Sequence, residues 1–135
     1  MYKNILIPVL IDDEHNNQAS LRVAEKLASA GAKFTILHVM EPVPSFVVAE
    51  IPGDILKRKR AEIDDAMSRM SQYLIDSETK LISGHAGREI IDYANKTGVD
   101  CIVVASHRPE IADYFLGSTA ARVVRHAQCS VHVVR

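Results

Sequence analysis

Cys101-Ile102-Val103-Val104-Ala105-Ser106-His107-Arg108, then Gly117-Ser118-Thr119 and the residues to His126, then Val131-His132-Val133-Val134, is the stretch that decides the fold. An apolar run ends on small residues, eight residues (109–116) intervene, and Gly-Ser-Thr opens an amphipathic segment that leads into a second apolar run. The runs barely alternate with polar residues, which suits strands covered on both faces, and such strands are usually parallel. Parallel neighbours need a crossover, and the spacing predicts a helix over 118–126 to supply it. That helix is expected to present Ala121 and Val124, with Ala120, to the sheet.

Working outward, two more runs of the same kind cover 5–9 and 34–39, and a weaker one covers 79–83. Helical patterns fill the gaps. Ala19, Val23, Leu27 and Ala30 share a face in a helix over 16–30, with Gly31 as its stop. Leu56, Ile63, Met67, Met70 and Leu74 make a stripe through a charge-dense helix over 53–75, where the methionines read as core filler. A helix over 88–97 buries Ile90, Ile91 and Ala94 and ends at Gly98. The order β-α-β-α-β-α-β-α-β defines an open α/β sandwich with helices on both faces of a parallel sheet. Right-handed crossovers make the winding reverse at one point, and a crevice opens there beyond the carboxyl ends of two strands. The pattern alone leaves open which two strands flank it.

Composition narrows the functions. A chain of 135 residues suits one domain, 1–135, with a proper core. Sixteen basic against seventeen acidic side chains leave a net charge of −1, so no global field holds a nucleic-acid backbone or an anionic membrane. No apolar run approaches the roughly 20 residues that cross a bilayer, and the start of the chain reads as a buried strand rather than a leader. The expected location is cytoplasmic. Cys101 and Cys129 lack C-x-x-C spacing and read as buried thiols of a reducing compartment.

The candidate site begins at Gly117. A residue without a Cβ lets an anion approach its backbone, Ser118 can cap the helix, and the N–H groups of Ser118 to Ala120 point outward at the positive end of the helix dipole. His107 and Arg108 add an imidazole and a guanidinium from the preceding loop. The alternative is an ordinary helix start that satisfies its own donors.

These residues resemble the universal stress protein family. Ala105-Ser106-His107-Arg108, Gly117-Ser118 and the closing Val124-Arg125-His126-Ala127 through Val134 match the family's C-terminal motif in order and nearly in spacing. Ile5-Leu6-Ile7-Pro8-Val9 resembles its first strand, and Leu37-His38-Val39 its second. The Ala-Ser-His-Arg-Pro form with its shorter spacer is similar to the F-type branch. The resemblance implies a Rossmann-like five-stranded parallel sheet ordered 3-2-1-4-5, with the reversal between strands one and four. It also implies ATP or AMP as ligand, with Mg²⁺ or Mn²⁺ carried by the phosphates. Pro8 and Val9 would then stand beside the adenosine, and Val39 and Val104 against adenine. Ser106, Arg108, Gly117, Ser118 and Thr119 would stand at the phosphates, with Ala105 and His107 in the turn between. Three positions depart from the family pattern: Leu10 stands where many nucleotide-binding members carry Asp, leaving Asp12 or Asp13 to replace it. Ala105 and Arg108 replace the two glycines of the turn, and the spacer is one residue shorter.

No P-loop, nucleophile elbow or G-x-G-x-x-G after the first strand is present, and the six histidines form no ligand cluster. The expectation is a nucleotide-binding regulatory sensor of the stress response without catalytic residues or a protein metal site. The alternatives are a weak ATPase or phosphotransferase using His107 or Ser118, and an interaction module with an empty crevice. The resemblance further implies a homodimer through the last strand, a tetramer built from it, and a client protein such as a transporter or regulator. Gly84-His85-Ala86-Gly87-Arg88 reads as a tight strand-to-helix connection at the same end of the sheet. The 43–53 segment reads as an exposed loop, a lid or a partner contact.

Overall fold

Ile5, Leu6 and Ile7 are all fully buried, which is possible only for a strand covered on both faces, and they form the centre of the sheet. The computed structural model describes residues 1–11, 14–106 and 116–135. Its elements run β1 (Tyr2–Pro8), α1 (Glu14–Leu27), β2 (Ala28–Met40), α2 (Ser45–Val48), α3 (Gly53–Ser71), β3 (Ser77–Ser83), α4 (Ala86–Lys96), β4 (Cys101–Ala105), α5 (Ser118–His126) and β5 (Ser130–Val134). The strands form one parallel sheet in the order β3-β2-β1-β4-β5. This is the order that the family resemblance implied.

Alternate residues of the central strands feed two cores. Ile5, Ile7, Phe34, Ile36, Cys101 and Val103 pack against α1 and α3 through Leu21, Ala24, Ile63, Met67 and Met70. Leu6, Leu37, Ile102 and Val104 pack against α4 and α5 through Ile90, Ala94, Ala120 and Val123. Each fully buried aliphatic side chain contributes about 1.5 to 3 kcal/mol. Helices on both faces follow from right-handed crossovers on either side of β1.

Three helix faces differ from expectation. On α3 the stripe is buried from Ile63 onward, while Leu56 at its head is exposed. On α5 the buried residues are Ala120 and Val123, while Ala121 is half-buried and Val124 exposed. Adjacent alanines and adjacent valines leave the phase of such a short helix open by one residue. On α1 the buried face is Asn17, Ser20, Leu21 and Ala24, with Ala30 exposed. A count of apolar residues misses a buried stripe whose members include two polar side chains.

Boundaries differ where local chemistry overrides the pattern. α1 ends at Leu27, and Ala28 already pairs with Tyr2. The β1–β2 register then slips between Tyr2/Ala28 and Asn4/Lys33, so β2 carries three more residues than β1 across that interval. Gly31, at φ 77°, lies in the slip rather than stopping a helix. α3 stops at Ser71, short of the expected 75, because Ser77 Oγ donates to the carbonyls of Ser71 and Leu74 at 3.0 and 2.8 Å. Asp76, at φ 62°, reverses the chain there. The 43–53 segment contains α2, which Pro44 opens by accepting from the N–H groups of Val47 and Val48 at 2.9 and 3.1 Å.

Candidate functional site: the parting of β1 and β4

β1 pairs with β4 only at Ile5/Cys101 and Leu6/Ile102. Beyond that point no pairing joins the two strands among the described residues, and each stays tied to its outer neighbour. On the β1 side, Pro8 still pairs with Leu37 and the Val9 N–H donates to the Leu37 carbonyl at 2.9 Å. On the β4 side, Ala105 still pairs with Val134 and the Ser106 N–H donates to the Val134 carbonyl at 2.8 Å. The wedge between them is the crevice of a doubly wound sheet, at the one place where strand order reverses.

Two side chains fix the β1 bank. His38 Nδ1 donates to the Val9 carbonyl at 3.0 Å, which makes Nδ1 the protonated ring nitrogen in the neutral form. Asn17 grips Leu10 at both ends: its Oδ1 accepts from the Leu10 N–H at 3.2 Å, and its Nδ2 donates to the Leu10 carbonyl. Backbone alone fixes the described part of the β4 bank. The Gly117 N–H donates to the buried Ser106 carbonyl at 2.6 Å, which sets the start of α5 beside the end of β4. The first helical bond of α5 runs from Ala121 N–H to Gly117 carbonyl at 2.8 Å. The N–H groups of Ser118, Thr119 and Ala120 therefore have no backbone acceptor among the described residues, and they carry the partial positive charge of the helix start. Gly117 itself is the N-cap, at φ −58° and ψ 154°, and Ser118 is the first helical residue rather than the cap.

The expected site residues that lie in the described part gather at this wedge. Pro8 and Val9 form one wall, Val9 buried and Pro8 half-buried. Val104, Ala105 and Ser106 form the other, with Val104 and Ser106 buried. Val39 and Val104 belong to the same hydrophobic core, on the α4/α5 side of the sheet. Gly117 and Thr119 are half-buried and Ser118 is exposed. His107 and Arg108, together with Asp12 and Asp13, lie outside the described residues. Sequence reasoning missed Asn17, His38 and Leu116, which joins the core of Val39 and Val104 immediately before Gly117. The signal for His38 was a polar residue inside an apolar strand, whereas Asn17 sits among polar residues and gave none.

The Gly84–Arg88 turn is the tight connection that its glycines suggested. The Gly84 N–H donates to the Met40 carbonyl at 2.9 Å, at φ 145°. A Cβ on Gly87 would stand 2.6 Å from Arg122 Cδ, so glycine there lets α4 and α5 pack together. His85 caps α4 by accepting from the Arg88 N–H at 3.4 Å. Burial pushes the Cys101 thiol up to about 11 from 9.0 and raises that of Cys129 as well, so both stay protonated near neutrality. Among the described residues no helix is long and apolar enough to cross a membrane.

A parallel sheet ordered 3-2-1-4-5, with helices on both faces and a helix start beside the switch point, defines an α/β protein of the nucleotide-binding type of architecture. The family model for the universal stress protein family matches residues 1–135, and the chain belongs to that family. It is 30% identical to universal stress protein G of Escherichia coli O157:H7 over the full length of both chains. Universal stress protein UspA from Lactobacillus plantarum superposes with a TM-score of 0.81 at 28% identity, covering 99% of this chain and 98% of that one. Two more distant members share the fold. The universal stress protein from Archaeoglobus fulgidus in complex with dAMP has a TM-score of 0.68 at 16% identity, covering 99% and 98%. An Arabidopsis thaliana family protein with AMP bound has a TM-score of 0.63 at 14% identity, covering 98% and 90%.

Proposed function

We propose that this chain binds an adenine nucleotide, ATP or AMP, in the crevice between β1 and β4, and that binding makes it a regulatory sensor of the stress response. The observation that carries this is the end of β1–β4 pairing at Leu6/Ile102, with the N–H groups of Ser118 to Ala120, which have no backbone acceptor among the described residues, at its edge. Adenine would lie against Val39 and Val104, and the ribose beside Pro8 and Val9. Phosphates would meet the N–H groups of Ser118 and Thr119 across Gly117, with Ser106 below and Arg108 as the side-chain charge. A divalent cation, Mg²⁺ or Mn²⁺, would come with the phosphates and keep mostly water and phosphate ligands. The dAMP and AMP complexes of the two distant relatives support this ligand class. The protein would act in the cytoplasm as a single domain, handing its nucleotide state to a client.

Isothermal titration with ATP, AMP and GTP tests the reading. Adenine nucleotides bind and GTP binds at least about tenfold more weakly, because a purely apolar wall gives guanine's polar edge no partner. No heat from any nucleotide at millimolar concentration sinks the proposal. Arg108→Gly separates the two sources of phosphate affinity, lowering ATP affinity more than AMP affinity.

A second reading concerns assembly. Among the described residues β5 pairs only with β4 and carries Val131, Val133 and Val134 on an edge strand, whereas the opposite edge, β3, carries Glu78 and Lys80. An uncharged edge supports pairing with a second copy. Sedimentation as a monomer, with or without ATP, argues against it.

A further inference from the structure

α3 carries a charge pattern that its own fold does not use. Its buried stripe is Ile63, Met67 and Met70. On the opposite side, Lys57, Arg58, Ala61, Asp64 and Asp65 are all exposed. Spaced at −4, −3, +3 and +4 around Ala61, these four charges fall within about 60° of it on the helix surface. Both basic residues lie on its N-terminal side and both acidic residues on its C-terminal side.

That order gives little to the isolated helix. Each of the two basic residues lies six to eight positions from each of the two acidic ones, beyond the i,i+3 and i,i+4 reach of ion pairs within a helix. Within α3, Arg60 Nε pairs with Asp64 Oδ1 at 3.7 Å, with both side chains more than half exposed. Lys57, Arg58 and Asp65 form no ion pair within the described part of the chain.

The pattern is complementary to itself under a twofold rotation. When two copies of α3 cross antiparallel at Ala61, the twofold axis inverts height along the helix and sets each flank of one copy against the same flank of the other. Lys57 and Asp64 share one flank and Arg58 and Asp65 the other, so Lys57 meets Asp64 of the second copy and Arg58 meets Asp65, and the symmetry repeats both contacts. The small side chain at the crossing lets the helix axes come within about 8 to 10 Å. A self-complementary patch is what an isologous interface requires. We propose that the outer face of α3 is a self-association surface, with a second copy of this chain as its occupant.

Because exposed pairs are individually weak, the contact acts as a network and responds to salt. Sedimentation velocity of the full chain should show an association that weakens at least about tenfold between about 50 mM and 500 mM NaCl. Lys57→Glu/Arg58→Glu abolishes that association, and so does Asp64→Lys/Asp65→Lys, while both keep the circular dichroism of the parent. Mixing the two variants restores it, and the four changes together in one chain restore it again. Pairing through β5 rests on backbone hydrogen bonds and apolar side chains and is blind to these swaps, so the two assemblies are distinguishable. A salt-sensitive species unchanged by either reversal overturns the proposal. Failure of the fourfold variant to recover, or absence of any salt-sensitive species, does so too.

Discussion

The two banks of the crevice are built by different means. The β1 bank is held by side chains, with His38 on the Val9 carbonyl and Asn17 on both polar groups of Leu10. The described part of the β4 bank is held by main chain, with Ser106 N–H on Val134 and Gly117 N–H on Ser106. A bank held by side chains can be retuned by single substitutions. One held by backbone tolerates side-chain changes and fails only when an N–H is removed or the chain is forced to move.

Asn17→Leu breaks the comparison hardest. It keeps the volume but leaves both Leu10 backbone groups without their partner, at a cost of about 2 kcal/mol. Urea denaturation measures the loss, and AMP titration should show affinity falling about tenfold as the β1 bank loosens. An unchanged midpoint would mean that water replaces Asn17 at no cost.

Gly117→Pro sharpens the contrast from the other side. The native φ of −58° suits proline, so the main change is loss of the N–H that bonds Ser106, at about 1 to 2 kcal/mol. Gly117→Ala keeps that N–H and should cost less than about 1 kcal/mol, while its new Cβ hinders phosphate approach. Equal destabilisation by the two variants would contradict a bank held by backbone.

An effect that appears only at alkaline pH concerns the root of the β4 bank, where Cys101 pairs with Ser130. Its thiol is pushed up to about 11 by burial, so between pH 9 and about 11 the unfolded chain has released a proton that the folded chain retains. Fewer protons on the unfolded state mean that stability falls as pH rises through this window, and is fully present below it. Cys101→Val should flatten the decline in denaturation midpoint between pH 8.5 and 10.5. A slope that survives the substitution would place its origin elsewhere.

The backbone-held bank was the easier of the two to read from sequence. Valine-rich runs and a glycine that opens a helix mark the elements from 101 onward, and α5 spans the expected 118–126. Only its rotation was off, because Ala120 with Ala121 and Val123 with Val124 fit the helical period equally well. The β1 bank hid its fasteners. Asn17 lies in a polar first turn that reads as solvated, and His38 interrupts an apolar strand without any motif around it. Hydrogen bonds to main chain across 7 and 29 residues leave no local pattern. The pairing of β1 with β4, which makes both banks part of one site, was not contained in periodicity and came from family resemblance alone.

The register slip between β1 and β2 has a consequence for how such a chain can change over time. The extra residues around Gly31 lie at the amino end of the sheet, ahead of the continuous pairing from Asn4/Lys33 to Pro8/Leu37. An insertion or deletion there would be absorbed within the slack, since lengthening a flexible segment costs only about 0.6 kcal/mol per doubling. The pairing downstream would keep its phase, and Pro8, Val9 and His38 would stay in place. Length variation in the first crossover is thereby uncoupled from the crevice.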